Sequence, residues 1–137
     1  MLNRLKNNVN KGFTLIEIVI VIVIIAILAT VLVPSMISWI DSANEKKLIS
    51  AGDTIRQAVN AQLVELYKDD VKVTGNQDNS AFDETFWNAI INSTDSNRVS
   101  KENISFTVTD NELETFSYTD NGKTATYSKS SNQWTVE

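Results

Sequence analysis

Of the acids in this 137-residue chain, Glu17 is the one whose setting asks for chemistry. It stands four residues inside an apolar run that opens at Phe13. From Ile18 to Ala29 no side chain is polar, and the run continues to Val33 before Pro34. A charge within a bilayer costs on the order of 2.5–3.5 kcal/mol on insertion scales, so such residues tend to be paired and functional. Glu17 then has two readings. In one it lies near the headgroups, snorkels or takes up a proton, and has no role. In the other it holds an opposite charge. Gly12 adds a second feature. It is a small residue placed before the apolar run, not after it, so any cleavage beside it would leave that run on the product.

Other chemistry is scarce. Cysteine and histidine are both absent. That removes thiol chemistry, the usual general base and the commonest metal ligand. There is no glycine-rich phosphate loop and no serine nucleophile in a strand–turn–helix context. No catalytic residue, cofactor or metal ligand set is therefore expected. The Asp/Asn-rich loops at 76–83 and 110–114 carry oxygen ligands of the calcium kind, without the spacing of a known calcium loop. They read as solvated turns. Phe82, Trp87, Tyr118 and Trp134 read as core, not as a ligand cage.

Glu17 is positioned by the apolar run around it. Phe13–Val33 is 21 residues, about 30 Å of helix, the thickness of a hydrocarbon core. Its Ile and Val are poor helix formers in water. In lipid the backbone must satisfy itself, and a helix does so within one segment. Arg4, Lys6 and Lys11 precede the run, with no acid among residues 1–12. The positive-inside rule puts this end in the cytoplasm and the bulk of the chain outside. A secretory signal would carry a shorter apolar core with a small-residue site after it. Residues 1–12 read instead as a leader.

Pro34 removes one helical N–H and crowds the Thr30 carbonyl, so the helix kinks or ends there. The residues beyond Pro34 favour a kink. Ile37, Ile40, Leu48, Ala51, Ile55, Val59, Leu63 and Leu66 recur at three-to-four-residue spacing, the pattern of an amphipathic helix to about Tyr67. Gly52 within it permits close packing. Residues 69–80 read as loop, 81–91 as a short helix capped by Ser80, and Asn92–Asn97 as turn. From Ile104 the period becomes two. Asn121-Gly122 is a hairpin turn that pairs Tyr118 with Ala125 and Phe116 with Tyr127. A turn at Ser130-Ser131 pairs Tyr127 with Trp134 and Ala125 with Val136. Phe106 joins that aromatic row if the first loop is Asp110-Asn111-Glu112. The expected fold class is α+β: a long N-terminal helix packed on a four-stranded antiparallel meander.

Lys11-Gly12-Phe13-Thr14-Leu15-Ile16-Glu17, after a basic leader and before a long apolar helix with Pro34, resembles the prepilin signature of type IV pilins. The resemblance covers about residues 1–65. It implies a leader at 1–12, a transmembrane and filament-core helix at 13–33, its amphipathic half at 34–67, and an extracellular globular part at 68–137. It implies that a prepilin peptidase cuts between Gly12 and Phe13 and methylates the Phe13 amine. Glu17 would then accept that amine from a neighbouring subunit during assembly, and Pro34 would kink the helix. The implied partners are further copies of the chain in a helical homopolymer, the peptidase/methyltransferase, the inner-membrane assembly machinery, and the membrane before assembly. The implied location is the cytoplasmic membrane, single-pass with the N-terminus inside, and then a cell-surface pilus serving adhesion or twitching motility.

Charge bounds the partners further. The chain carries −5 overall. Without the three cations of residues 1–12 it is −8, from 9 Lys/Arg against 17 Asp/Glu. An acidic outer surface repels phosphate backbones, so no nucleic-acid partner is expected from bulk charge. Two other functions fit parts of the sequence: a pseudopilin of a type II secretion or competence DNA-uptake machine, and a single-pass membrane-anchored binding domain. The last leaves Glu17 and the glycine junction without a reason.

Overall fold

The computed structural model describes residues 12–94 and 99–137. Along them run helix α1 (Leu15–Lys68), strand β1 (Gly75–Gln77), helix α2 (Glu84–Ser93) and a 3-10 turn (Lys101–Asn103). Strands β2 (Ile104–Thr109), β3 (Glu112–Asp120), β4 (Lys123–Ser128) and β5 (Gln133–Val136) complete the chain. The strands form one sheet in the order β1-β2-β3-β4-β5, every neighbour antiparallel. The class is α+β, a long apolar helix followed by a small antiparallel sheet. The chain divides into two compact units, Met1–Ile40 and Asp41–Glu137.

In the first unit α1 begins at Leu15, two residues beyond Phe13, and runs through Pro34. Hydroxyls on both sides of the proline bond back to backbone carbonyls. Thr30 Oγ1 donates to the Ile27 carbonyl at 2.7 Å, Ser35 Oγ to Leu32 at 2.8 Å and Ser38 Oγ to Ser35 at 2.9 Å. Such back-bonding satisfies Ser and Thr inside an apolar helix. No described residue of this unit is buried.

In the second unit the buried positions of α1 are Leu48, Gly52, Ile55, Val59 and Leu63, spaced four, three, four and four apart. The expected stripe is thus real but starts later. Ile37 and Ile40 belong to the first unit and are exposed. Gly52 lies close against the sheet: a Cβ there would stand 2.9 Å from the Trp134 ring. The helix ends at a Schellman turn. The Val71 N–H donates to the Leu66 carbonyl at 2.9 Å and the Asp70 N–H to Tyr67 at 3.1 Å, with Asp70 left-handed at φ +61°.

The sheet keeps the expected register at both later hairpins. Phe116 faces Tyr127 and Tyr118 faces Ala125, around an Asn121-Gly122 turn with both φ positive. Tyr127 faces Trp134 and Ala125 faces Val136, and the Asn132 N–H closes the turn onto the Lys129 carbonyl at 3.3 Å. Trp134 packs on the core side, its ring centroid 6.1 Å from Phe116 and 5.5 Å from Tyr127. Phe106 faces Phe116 as expected, by another route than the three-residue loop. The turn is Asp110-Asn111 alone, φ +48° and +64°, and a bulge opposite the Thr107–Val108 step takes up Glu114 as the extra residue of β3.

Three expectations need correction. Residues 69–80 are not all loop: Gly75–Gln77 pairs with β2 and makes the sheet five-stranded. The short helix runs Glu84–Ser93, two or three residues later than expected, and its cap is Asp83, whose Oδ1 accepts the Phe86 N–H at 3.0 Å. Ser80 is instead held in a turn by Asp78, with N–H and Oγ donating to Oδ1 at 2.9 and 2.6 Å. Of the turn expected at 92–97, residues 95–97 lie outside the described residues. Helix α2 adds Phe86, Trp87 and Ile90 to the core, with Phe82 stacked on Phe86 at 4.0 Å.

One amide ties three elements together. Asn111 Oδ1 accepts the Val73 N–H at 2.9 Å. Its Nδ2 donates to the carbonyls of Val71 at 2.9 Å and Leu63 at 3.3 Å. The β2–β3 turn is thereby pinned to the end of α1 and to the loop beyond it.

Candidate functional site

The candidate site is the start of α1. Gly12 and Phe13 precede the helix without regular structure. A Cβ on Gly12 would meet nothing within 4 Å, and its φ is not left-handed. Neither packing nor backbone conformation in this fold calls for glycine there. Phe13 is 82 % exposed, so its ring is not held by the chain's own core.

Thr14 is the helix N-cap and Glu17 the third helical residue. The Glu17 N–H donates to Thr14 Oγ1 at 3.3 Å. Glu17 Oε2 in turn accepts the Thr14 N–H at 2.7 Å and the Thr14 hydroxyl at 2.8 Å. This is a reciprocal capping box, which satisfies free N–H groups at a helix start. The carboxylate also lies at the positive end of the helix dipole. Glu17 therefore has a partner within its own chain, four residues from Phe13. The partner was legible in the sequence as Thr-x-x-Glu; attention to the charge alone passes over it. The structure brings together Gly12, Phe13, Thr14 and Glu17; Pro34 sits farther along the same helix. The cationic residues Arg4, Lys6 and Lys11 lie outside the described residues.

From Ile18 to Val33 the helix has no inward face. Every large apolar side chain from Phe13 to Val33 is exposed, by 42–83 %. A helix that is apolar all round needs a non-aqueous surrounding on every side. At about 1.5–3 kcal/mol for each such side chain, hydration would cost on the order of tens of kcal/mol, more than the roughly 5–15 kcal/mol stability of a whole domain. Among the described residues, α1 is long and apolar enough to cross a membrane.

Among the described residues no group of three or more Asp, Glu, His or Cys is placed to hold an ion. The loop side chains are engaged otherwise: Asp78 in a turn, Asp83 in a cap, Asn111 in the clamp.

Residues 7–33 match the family described as the prokaryotic N-terminal methylation motif. They carry the type IV pilin and prepilin signature, on a fold whose helix and sheet are arranged as in pilins. The signature supports a pilin-like or pseudopilin precursor, a structural and not an enzymatic class. No curated protein and no solved structure matches the chain.

Proposed function

We propose that the chain is the precursor of a major pilin, the structural subunit of a type IV pilus. The observation that carries this is the all-round exposure of the Phe13–Val33 side chains behind a glycine that the fold does not need. Glycine at position 12 then serves recognition by a processing enzyme, which cuts at Gly12-Phe13 and methylates the Phe13 amine. The precursor waits in the cytoplasmic membrane with its N-terminus inside. Assembly trades lipid contacts for contacts with neighbouring helices, head to tail, in an arrangement that extends without closing. Ile18–Val33 forms the core of the fibre and the acidic domain its wall.

Glu17 sets the register of that packing. In a low dielectric a carboxylate and an ammonium each lose several kcal/mol of solvation, and pairing recovers much of it. The new Phe13 amine of the incoming neighbour supplies the cation. Pro34 kinks the helix so that both halves pack. Adhesion and twitching motility are the roles such a fibre serves.

Two measurements test the reading. Mass spectrometry of the mature protein is expected to show a start at N-methyl-Phe13, and the Gly12→Val variant is expected to stay full length with an unchanged circular dichroism spectrum. Recovery of wild-type protein with Met1 still attached, as a bilayer-bound monomer, would end the proposal. Electron microscopy of sheared surface material is expected to show long fibres. Their absence, with correct processing, would favour the pseudopilin reading.

A further inference from the structure

Trp39 does not belong to the core, to the pilin signature or to the sheet. It is 75 % exposed, with Met36, Ile37 and Ile40 exposed around it. The uncharged stretch does not stop at Pro34. From Ile18 to Ile40 no side chain is charged, and Asp41 is the first acid after Glu17. Glu17 and Trp39 are 22 residues apart on α1, a rise of about 33 Å, against a hydrocarbon core of about 30 Å. The charged end and the indole thus fall one at each boundary of a bilayer.

We propose that Trp39 is the outer-leaflet anchor of the membrane-bound precursor, its occupant the headgroup–acyl boundary of the lipid. The indole suits that zone, with an apolar body and one N–H that needs a wet partner. The span so framed is Ile18–Ser38, displaced outward from Phe13–Val33. Glu17 then sits at the inner boundary, where a carboxylate is tolerated and its capping box is enough to satisfy it before assembly. Pro34 lies about 7–8 Å below the outer boundary, inside hydrocarbon. The hydroxyls of Thr30, Ser35 and Ser38 on either side of it are satisfied within the helix, by the carbonyls of Ile27, Leu32 and Ser35.

The proposal rests on the membrane-span reading of α1, and its test separates the two. Full-length protein and its Trp39→Phe variant are reconstituted in phosphatidylcholine vesicles, and flotation establishes insertion. The difference between their emission spectra isolates Trp39 from Trp87 and Trp134. Lipids brominated near the headgroup end of the acyl chain are expected to remove most of that emission, lipids brominated near the methyl end much less, and aqueous iodide little. Strong iodide quenching in protein that floats would overturn the anchor and leave the span standing. Quenching strongest from the methyl-end bromines would also overturn it, by placing Trp39 at mid-bilayer. A Trp39 that is aqueous in vesicles and shielded only in assembled fibres would overturn it too, and assign the residue to a second copy of the chain. Failure to float at all would overturn both the anchor and the span.

Discussion

Glu17 meets two demands that substitution can separate. Its oxygens complete a capping box with Thr14, and in the proposed fibre its charge would meet a neighbour's amine. A capping box accepts glutamine as well as glutamate. Glu17→Gln is therefore expected to keep helical content and membrane insertion while cutting surface fibre yield steeply. Thr14→Ala removes the cap, worth about 0.5–2 kcal/mol, yet is expected to leave fibres. If Glu17→Gln yields normal fibres and Thr14→Ala does not, capping and not charge is the function of the acid. Asn111 is the other residue with several tasks. Alanine there would lose three side-chain hydrogen bonds and sit at φ +64°. A loss of about 2–3 kcal/mol is expected, read as a lower denaturant midpoint of the full-length protein in detergent. Asn111→Gly relieves the backbone and should lose less.

At the scale of elements, the contact between α1 and β5 depends on what Gly52 lacks. Alanine would gain about 1 kcal/mol in helix propensity but place its Cβ 2.9 Å from the Trp134 ring. That ring is only half-buried and can give way, so Gly52→Ala is expected to be near neutral. Gly52→Val cannot be absorbed so and should cost about 1–3 kcal/mol, with part restored by Trp134→Leu in the double variant. The same helix meets β4 through charge. Arg56 donates to Asp53 at 3.0 and 2.8 Å, and its guanidinium lies 4.4 Å from the centre of the Tyr127 ring. Partial burial pushes the Asp53 carboxyl up, but hydrogen bonds from Arg56 and Gln57 and the Arg56 charge together hold it below its usual value. A carboxyl lowered by folding stabilises the fold above its unfolded value, about 3.9. That contribution fades as pH falls through the lowered value. Asp53→Asn should therefore lower the midpoint at pH 7 and match wild type once the medium is more acid than Asp53 itself.

At the scale of the molecule, one chain is built for two solvents. The first unit has no buried residue among those described, and the proposed function gives it lipid or other copies as surroundings. The second buries sixteen apolar side chains and, among the described residues, no polar or charged one. Its hold on itself comes without disulfides, since cysteine is absent. Strand pairing, the α1 stripe and the aromatic cluster around Phe82, Phe86 and Phe106 take that part. The carboxylates of the described residues stay outside this core, which leaves the surface of the domain acidic.

Features that are local or periodic were legible before any fold was known. The apolar helix, its signature at Gly12–Glu17, and the two later hairpins that align Phe116, Tyr127 and Trp134 rest on local side-chain spacing and turn chemistry. Features with distant partners needed the folded chain. β1 is three residues long with no alternation of its own, and becomes a strand because Phe106–Val108 offers it backbone groups. The bulge at Thr107/Val108 exists because Asp110-Asn111 turns in two residues while the core needs Phe106 opposite Phe116. Ile37 repeats the spacing of Ile55 but stays exposed. Periodicity says which residues share a face; what stands against that face is fixed by the rest of the chain or by the medium around it.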